Sequence, residues 1–155
     1  MAHRKLSVGR YYLTYDSKSA IIGLRIRPHT DEEHGMYTVE FYENDRGVSE
    51  LWDFLEELRM KSVSNKDARI QYKQIVLYIQ LLQDNGTRLS ENVTKHLTED
   101  IWKLRPGNNR AFYFCWRGDR FVLLHQFRKK SQKTPRHEIE CAKAERDDWF
   151  ARKGE

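Results

Sequence analysis

Cysteine and proline are scarce: two of the first and three of the second in 155 residues. Cys115 and Cys141 stand far apart with no metal-type spacing. Neither a disulfide framework nor a paired-cysteine metal motif is expected, and both read as reduced thiols. No stretch approaches the ~20 consecutive apolar residues a membrane span needs. Residues 1–18 lack the apolar middle region of a secretory signal. A soluble, cytoplasmic chain is therefore expected. Acid is the most telling absence. Between Ile101 and His137, Asp119 is the only carboxylate among ten cations. The six histidines are scattered, no acidic cluster accompanies the basic region, and no Gly-rich phosphate loop occurs. No metal and no other cofactor is expected.

What is present suits one modest core inside a strongly charged surface. Apolar residues make up 39% and charged residues 33%, with a net charge of +5. The length predicts one domain. The segment from Val39 to Asp67 is rich in Glu and Asp, so the positive field is concentrated downstream. Such a field favours a polyanionic partner, nucleic acid first.

Residues 1–35 show no amphipathic period beyond the run Ala20 to Leu24. Glu32-Glu33 can be encoded by a purine-rich GAGGAG stretch just before the Met36 codon, the form of a bacterial ribosome-binding site. Met36 is thus the expected start, with residues 1–35 a non-native extension and 36–155 the domain. The intact mass of the protein made from its own locus checks this: retention of residues 1–35 refutes it.

Met36 to Tyr42 alternates like a strand, and Asn44-Asp45-Arg46-Gly47 is a turn. Val48, Leu51, Leu55 and Leu58 fall at helical spacing, flanked by Trp52 and Phe54. Ser64-Asn65-Lys66-Asp67 has capping-box form. It precedes the stripe Tyr72, Ile75, Ile79 and Leu82, which Asn85-Gly86 ends. From Ile101 the period becomes two. Strands are expected over Ile101–Arg105, Arg110–Trp116 and Phe121–Phe127, with turns at Pro106-Gly107-Asn108-Asn109 and Arg117-Gly118-Asp119-Arg120. Thr134-Pro135 reads as a helix start, with Thr as cap, and Ile139, Ala142, Trp149 and Phe150 give that helix an apolar face. The polar segment 87–99 gives no assignment. The expected fold is α+β: a small antiparallel sheet of the N-terminal strand plus a three-stranded meander. Two helices pack on one face and a C-terminal helix follows. The other face is left for function.

By strand parity Lys103 and Arg105 share one face of their strand. Arg110 opens the next strand after a short turn, and Arg128, Lys129 and Lys130 leave the last one, with Lys133 just beyond. Several cations can therefore converge where a scissile phosphate would sit, because guanidinium forks bind its oxygens and stabilise a pentacoordinate transition state. Without metal, RNA cleavage needs a base for the 2′-hydroxyl, a cation for the phosphate and an acid for the leaving oxygen. Arg110 is the candidate cation. Lys103 or Lys129 is a candidate base, if like charge lowers its pKa. Lys130 joins the candidate catalytic set. His125 is an alternative acid or base, although parity puts it on a face with Phe121, Leu123 and Phe127, as a core histidine would be. Arg105, Arg128, Lys129 and Lys133 are expected to hold RNA.

Certain runs carry more than a charge pattern. They are Ile101-Trp102-Lys103-Leu104-Arg105-Pro106, Arg110 before an aromatic strand, and Phe121-Val122-Leu123-Leu124-His125. The last is Lys129-Lys130-Ser131-Gln132-Lys133-Thr134-Pro135, and upstream Lys66-Asp67-Ala68-Arg69 and Asn85-Gly86-Thr87-Arg88 also match. With these, residues 36–150 resemble the phage-derived HigB-like branch of the RelE toxin superfamily. The resemblance implies a RelE-like fold and a type II toxin–antitoxin toxin that enters the ribosomal A site and cuts mRNA there. It also implies a neighbouring helix-turn-helix antitoxin, through which alone the complex meets operator DNA. Lys103 and Arg105 correspond to the family's basic pair after the helices, Arg110 to its central-strand arginine, and Lys129 and Lys130 to the basic pair after the last strand. One departure stands out: other branches place a tyrosine or histidine near the chain's end, whereas no tyrosine follows Tyr113 here. His125, His137 or Trp149 would have to substitute. A nucleic-acid-binding regulator without catalysis, or an inactive relic that only binds its antitoxin, is the alternative.

Overall fold

The structure, a computed structural model, describes residues 12–13, 24–25 and 37–155. The first two pairs form a short antiparallel ladder, β1 (Tyr12–Leu13) with β2 (Leu24–Arg25). The expected boundary at Met36 lies outside the described residues.

β3 (Thr38–Phe41) leads into α1 (Glu50–Lys61) and α2 (Lys66–Asn85). Ser49 caps α1 by accepting from the Trp52 N–H. Leu51, Leu55 and Leu58 are buried as their spacing requires, but Val48 precedes the helix and is exposed. Asn65, not Ser64, caps α2, its Oδ1 accepting from the Ala68 N–H at 3.0 Å. Ala68, Tyr72, Ile75, Val76, Ile79 and Leu82 are buried along one face. Gly86 stops the helix at φ +62° with Tyr37 packed against it, a place where a side chain would be both strained and crowded.

A short 3₁₀ turn over Gly86–Arg88 is followed by β4 (Thr94–Thr98), β5 (Ile101–Leu104), β6 (Asn109–Trp116) and β7 (Arg120–Arg128), then α3 (Arg136–Lys153). The strand order is β3-β7-β6-β5-β4. The α+β class holds, with two differences from the expected sheet. β3 runs parallel to β7, so the sheet is mixed, and β4 adds a fifth strand inside the unassigned segment. β4 was hidden because its Thr-Lys-His-Leu-Thr sequence is that of a polar edge strand.

Two cores flank the sheet. Val39, Phe41, Tyr113, Phe121 and Leu123 meet α1 and α2 on one side. Ile101, Phe112, Phe114, Trp116, Val122 and Leu124 meet Ala142 and Trp149 of α3 on the other. The second face is thus not free: α3 covers much of it, with Trp149 edge-on to Trp116 at 5.2 Å. Burying large apolar side chains of this kind contributes roughly 1.5–3 kcal/mol each, which is why a helix with so thin an apolar stripe docks there.

Candidate functional site

The part of that face beyond the first turn of α3 remains open. It forms a shallow cleft open to solvent. Lys103 of β5 and Arg105 just after it, with Arg110 of β6 and Phe127 of β7, form one wall; Lys129 to Pro135 forms the other. No carboxylate lines it.

Its walls are tied together by backbone. The Lys129 N–H donates to the Asn108 carbonyl at 2.7 Å, joining the loop after β7 to the β5–β6 turn. That turn is braced from beneath by α2. The Asn109 amide, on a buried residue, donates to Gln71 Oε1 at 3.0 Å, and Gln74 packs under Gly107. Arg110 then curls back over the turn, one guanidinium nitrogen donating to the Gly107 and Asn109 carbonyls at 2.8 Å each.

Arg110 is only 7% exposed, yet it has no carboxylate partner among the described residues. Burial and the neighbouring Arg105 guanidinium both work against its charge. Lys103 donates from Nζ to Thr134 Oγ1 at 2.9 Å. Burial lowers its pKa below the ordinary lysine value, and Arg105, Arg110, Lys95 and Lys129 push in the same direction. The Thr134 hydroxyl, engaged there, does not cap α3. Pro135 takes the cap position with no side-chain hydrogen bond to the helix, and Arg136 is the first helical residue. Arg105 reaches outward to the Glu91 carbonyl at 2.6 Å.

Of the residues singled out from sequence, Lys103, Arg105, Arg110, Lys129, Lys130 and Lys133 come together in this cleft. Arg128 is exposed and does not line it. Neither does His125. A register shift between β6 and β7 near Ala111 and Tyr113 moves His125 and Phe127 off the face of Phe121 and Leu123. His125 is buried against Phe112 and its ring lies between two carboxylates of α3: Nδ1 on Glu145, Nε2 on Glu138 at 2.6 Å. Burial alone would depress its pKa, but the bonds and charges of Glu145 and Glu138 outweigh burial and raise it. Trp149 is core, and His137 is exposed beside Glu138. Phe127, Ser131, Gln132 and the braces Gln71, Gln74 and Asn109 were not foreseen. Phe127 is concealed by the bulge, and the braces act from an element that reads as packing only.

No helix among the described residues is long and apolar enough to cross a membrane. The chain matches a family model described as Phage derived protein Gp49-like (DUF891) over residues 56–147, more than half its length. No curated protein matches it.

Proposed function

This chain belongs to the Phage derived protein Gp49-like family, a family of RelE- and HigB-like toxin type, and from that premise we propose that it is a HigB-like toxin cutting messenger RNA on the ribosome without metal. Residues 36–155 form its toxin domain. Membership of a toxin family implies an antitoxin partner; here it is a helix-turn-helix protein encoded alongside, and operator DNA is met only through that complex.

Arg110 carries the proposal. A nearly buried arginine with no carboxylate of its own is costly unless an anion completes it, and the cleft above it is lined by five further cations. The scissile phosphate supplies that anion. The guanidinium nitrogens not spent on the turn face the extra negative charge that develops as the 2′-oxygen attacks phosphorus. Lys103, whose lowered pKa enlarges its neutral fraction, takes the 2′-hydroxyl proton. Lys129 is the other candidate for that step. Lys130 protonates the leaving 5′-oxygen, so the products are a 2′,3′-cyclic phosphate and a 5′-hydroxyl. Arg105, Lys129 and Lys133 hold neighbouring phosphates, Phe127 offers a ring on which a base can stack, and Arg128 meets RNA outside the cleft. His125, with both nitrogens engaged by α3, holds β7 to that helix and does not act on substrate.

The test is induction in a bacterial host of the chain and of Arg110→Ala, with mRNA 5′ ends mapped while translation runs or is blocked. Growth arrest with new in-frame cuts, lost in the variant and lost when translation stops, is expected. A non-catalytic regulator instead predicts no cuts and additive, salt-sensitive losses of binding as single cations are removed. An inactive relic predicts neither arrest nor cuts despite good expression.

A further inference from the structure

Under the covered part of the same face, His125 of β7 meets three residues of α3. Glu138, Cys141 and Glu145 lie three and four residues apart, so one helix face carries all of them. The imidazole points Nδ1 at Glu145 Oε1, and Cys141 Sγ lies 3.8 Å from that same oxygen. One donor atom each from His125, Cys141 and Glu145 falls within 4.8 Å of the others. The geometry points to a binding site for a divalent transition-metal ion of the zinc class, ligated by His125 Nδ1, Cys141 Sγ and Glu145 Oε1, none of which lines the RNA cleft, and independent of the proposed cleavage.

Four features favour it. Mixed nitrogen, sulfur and carboxylate donors suit zinc better than magnesium or calcium. Tetrahedral bonds of about 2.0–2.3 Å hold neighbouring donors roughly 3.3–3.8 Å apart, so the sulfur and carboxylate already stand at the right separation. The nitrogen and Glu145, in hydrogen-bond contact, must open to admit the ion. Glu138 accepts from Nε2 at 2.6 Å, the carboxylate–histidine arrangement that fixes the ring of a metal-binding imidazole. Finally, Cys141 is exposed, which gives an ion a way in and leaves a fourth position to water. Burial, Glu145, Glu50 and Glu138 push the free thiol up to about 11; the same excess of negative charge draws a dication, whose bond to sulfur releases the thiol proton to solvent. The site escapes a spacing search because its histidine lies on a strand, where the bulge in β7 turns it toward the helix.

An ion here would fasten α3 to β7 directly behind the loop Lys129–Pro135. The test uses the full chain, stripped with chelator and titrated with Co²⁺. Expected are one equivalent bound, a sulfur-to-cobalt charge-transfer band in the near ultraviolet, the strong visible bands of a four-coordinate ion, and displacement by Zn²⁺. Cys141→Ser, a change at an exposed position, should lose the charge-transfer band while its metal-free circular dichroism and melting temperature match the parent. Zn²⁺ should raise the melting temperature of the parent and not of the variant. Absence of the band in the parent, its survival in Cys141→Ser, or its loss in Cys115→Ser overturns the assignment.

Discussion

In the proposed mechanism Lys103 and Arg110 divide the work of the cleft by the kind of charge each carries. A base must be neutral, and Lys103 is pushed that way by burial first and by Arg105, Arg110, Lys95 and Lys129 after it. Single-turnover cutting should therefore rise with pH and level off below the ordinary lysine value of about 10.4. Lys103→Arg, which cannot deprotonate, should remove the slope and lower the rate about 10²-fold or more. The sign for stability follows from the same shift. Below the lowered value Lys103 is charged in both folded and unfolded chains and destabilises the fold. Between that value and the ordinary one the unfolded chain binds more proton, so stability climbs with pH. Lys103→Met should thus exceed the parent in stability at neutral pH, and the difference should close in alkali, as denaturation at several pH values would read. Arg110→Lys keeps the charge but not the fork, and cutting should fall about 10²–10³-fold with the melting temperature nearly unchanged. These cations were legible because acid is so sparse between Ile101 and His137. The different situation of His125 was not, because alternation is a count of residues and a bulge breaks the count.

Among the elements, the β5–β6 turn matters beyond its length, since it converts the position of α2 into the position of a guanidinium. Gly107 sits at φ +58°, and a Cβ there would lie 2.6 Å from Gln74 Oε1. Gly107→Ala should cost about 1–2 kcal/mol in urea denaturation, and cutting should fall further than that loss explains. Gln71→Ala, which frees Asn109, should lower cutting more than it lowers the denaturation midpoint; equal losses would mean the brace only supports the fold. Helices α1 and α2 were readable from sequence because one stripe of each is apolar and faces a single core. α3 was readable as a helix but not in its placement: Ala142 and Trp149 show that it buries something, not which side of the sheet it covers. The cap at Thr134 was misjudged because a competing partner, Lys103, lies thirty-one positions away in sequence.

Across the whole molecule, six cations line one cleft, so the RNA binding proposed for it should be strongly salt-dependent. Removing one phosphate-contacting charge, as in Lys133→Ala, should reduce the slope of log affinity against log salt by about 0.7 for single-stranded RNA and leave the pattern of cuts unchanged. The architecture as a whole was only partly legible. The α+β class follows from the order of periods along the chain. The parallel pairing of β3 does not, because nothing in Thr-Val-Glu-Phe says which way its neighbour runs. That pairing governs the order in which the chain can be completed. β3 is made early, yet its partner begins only at Arg120, and parallel neighbours cannot be joined by a tight turn. During synthesis α1 and α2 emerge with no sheet to cover, and the second wall of the cleft is not made until β7 has been finished. On the proposed reading, a nascent chain therefore cannot cut RNA until β7 and the loop behind it have been made.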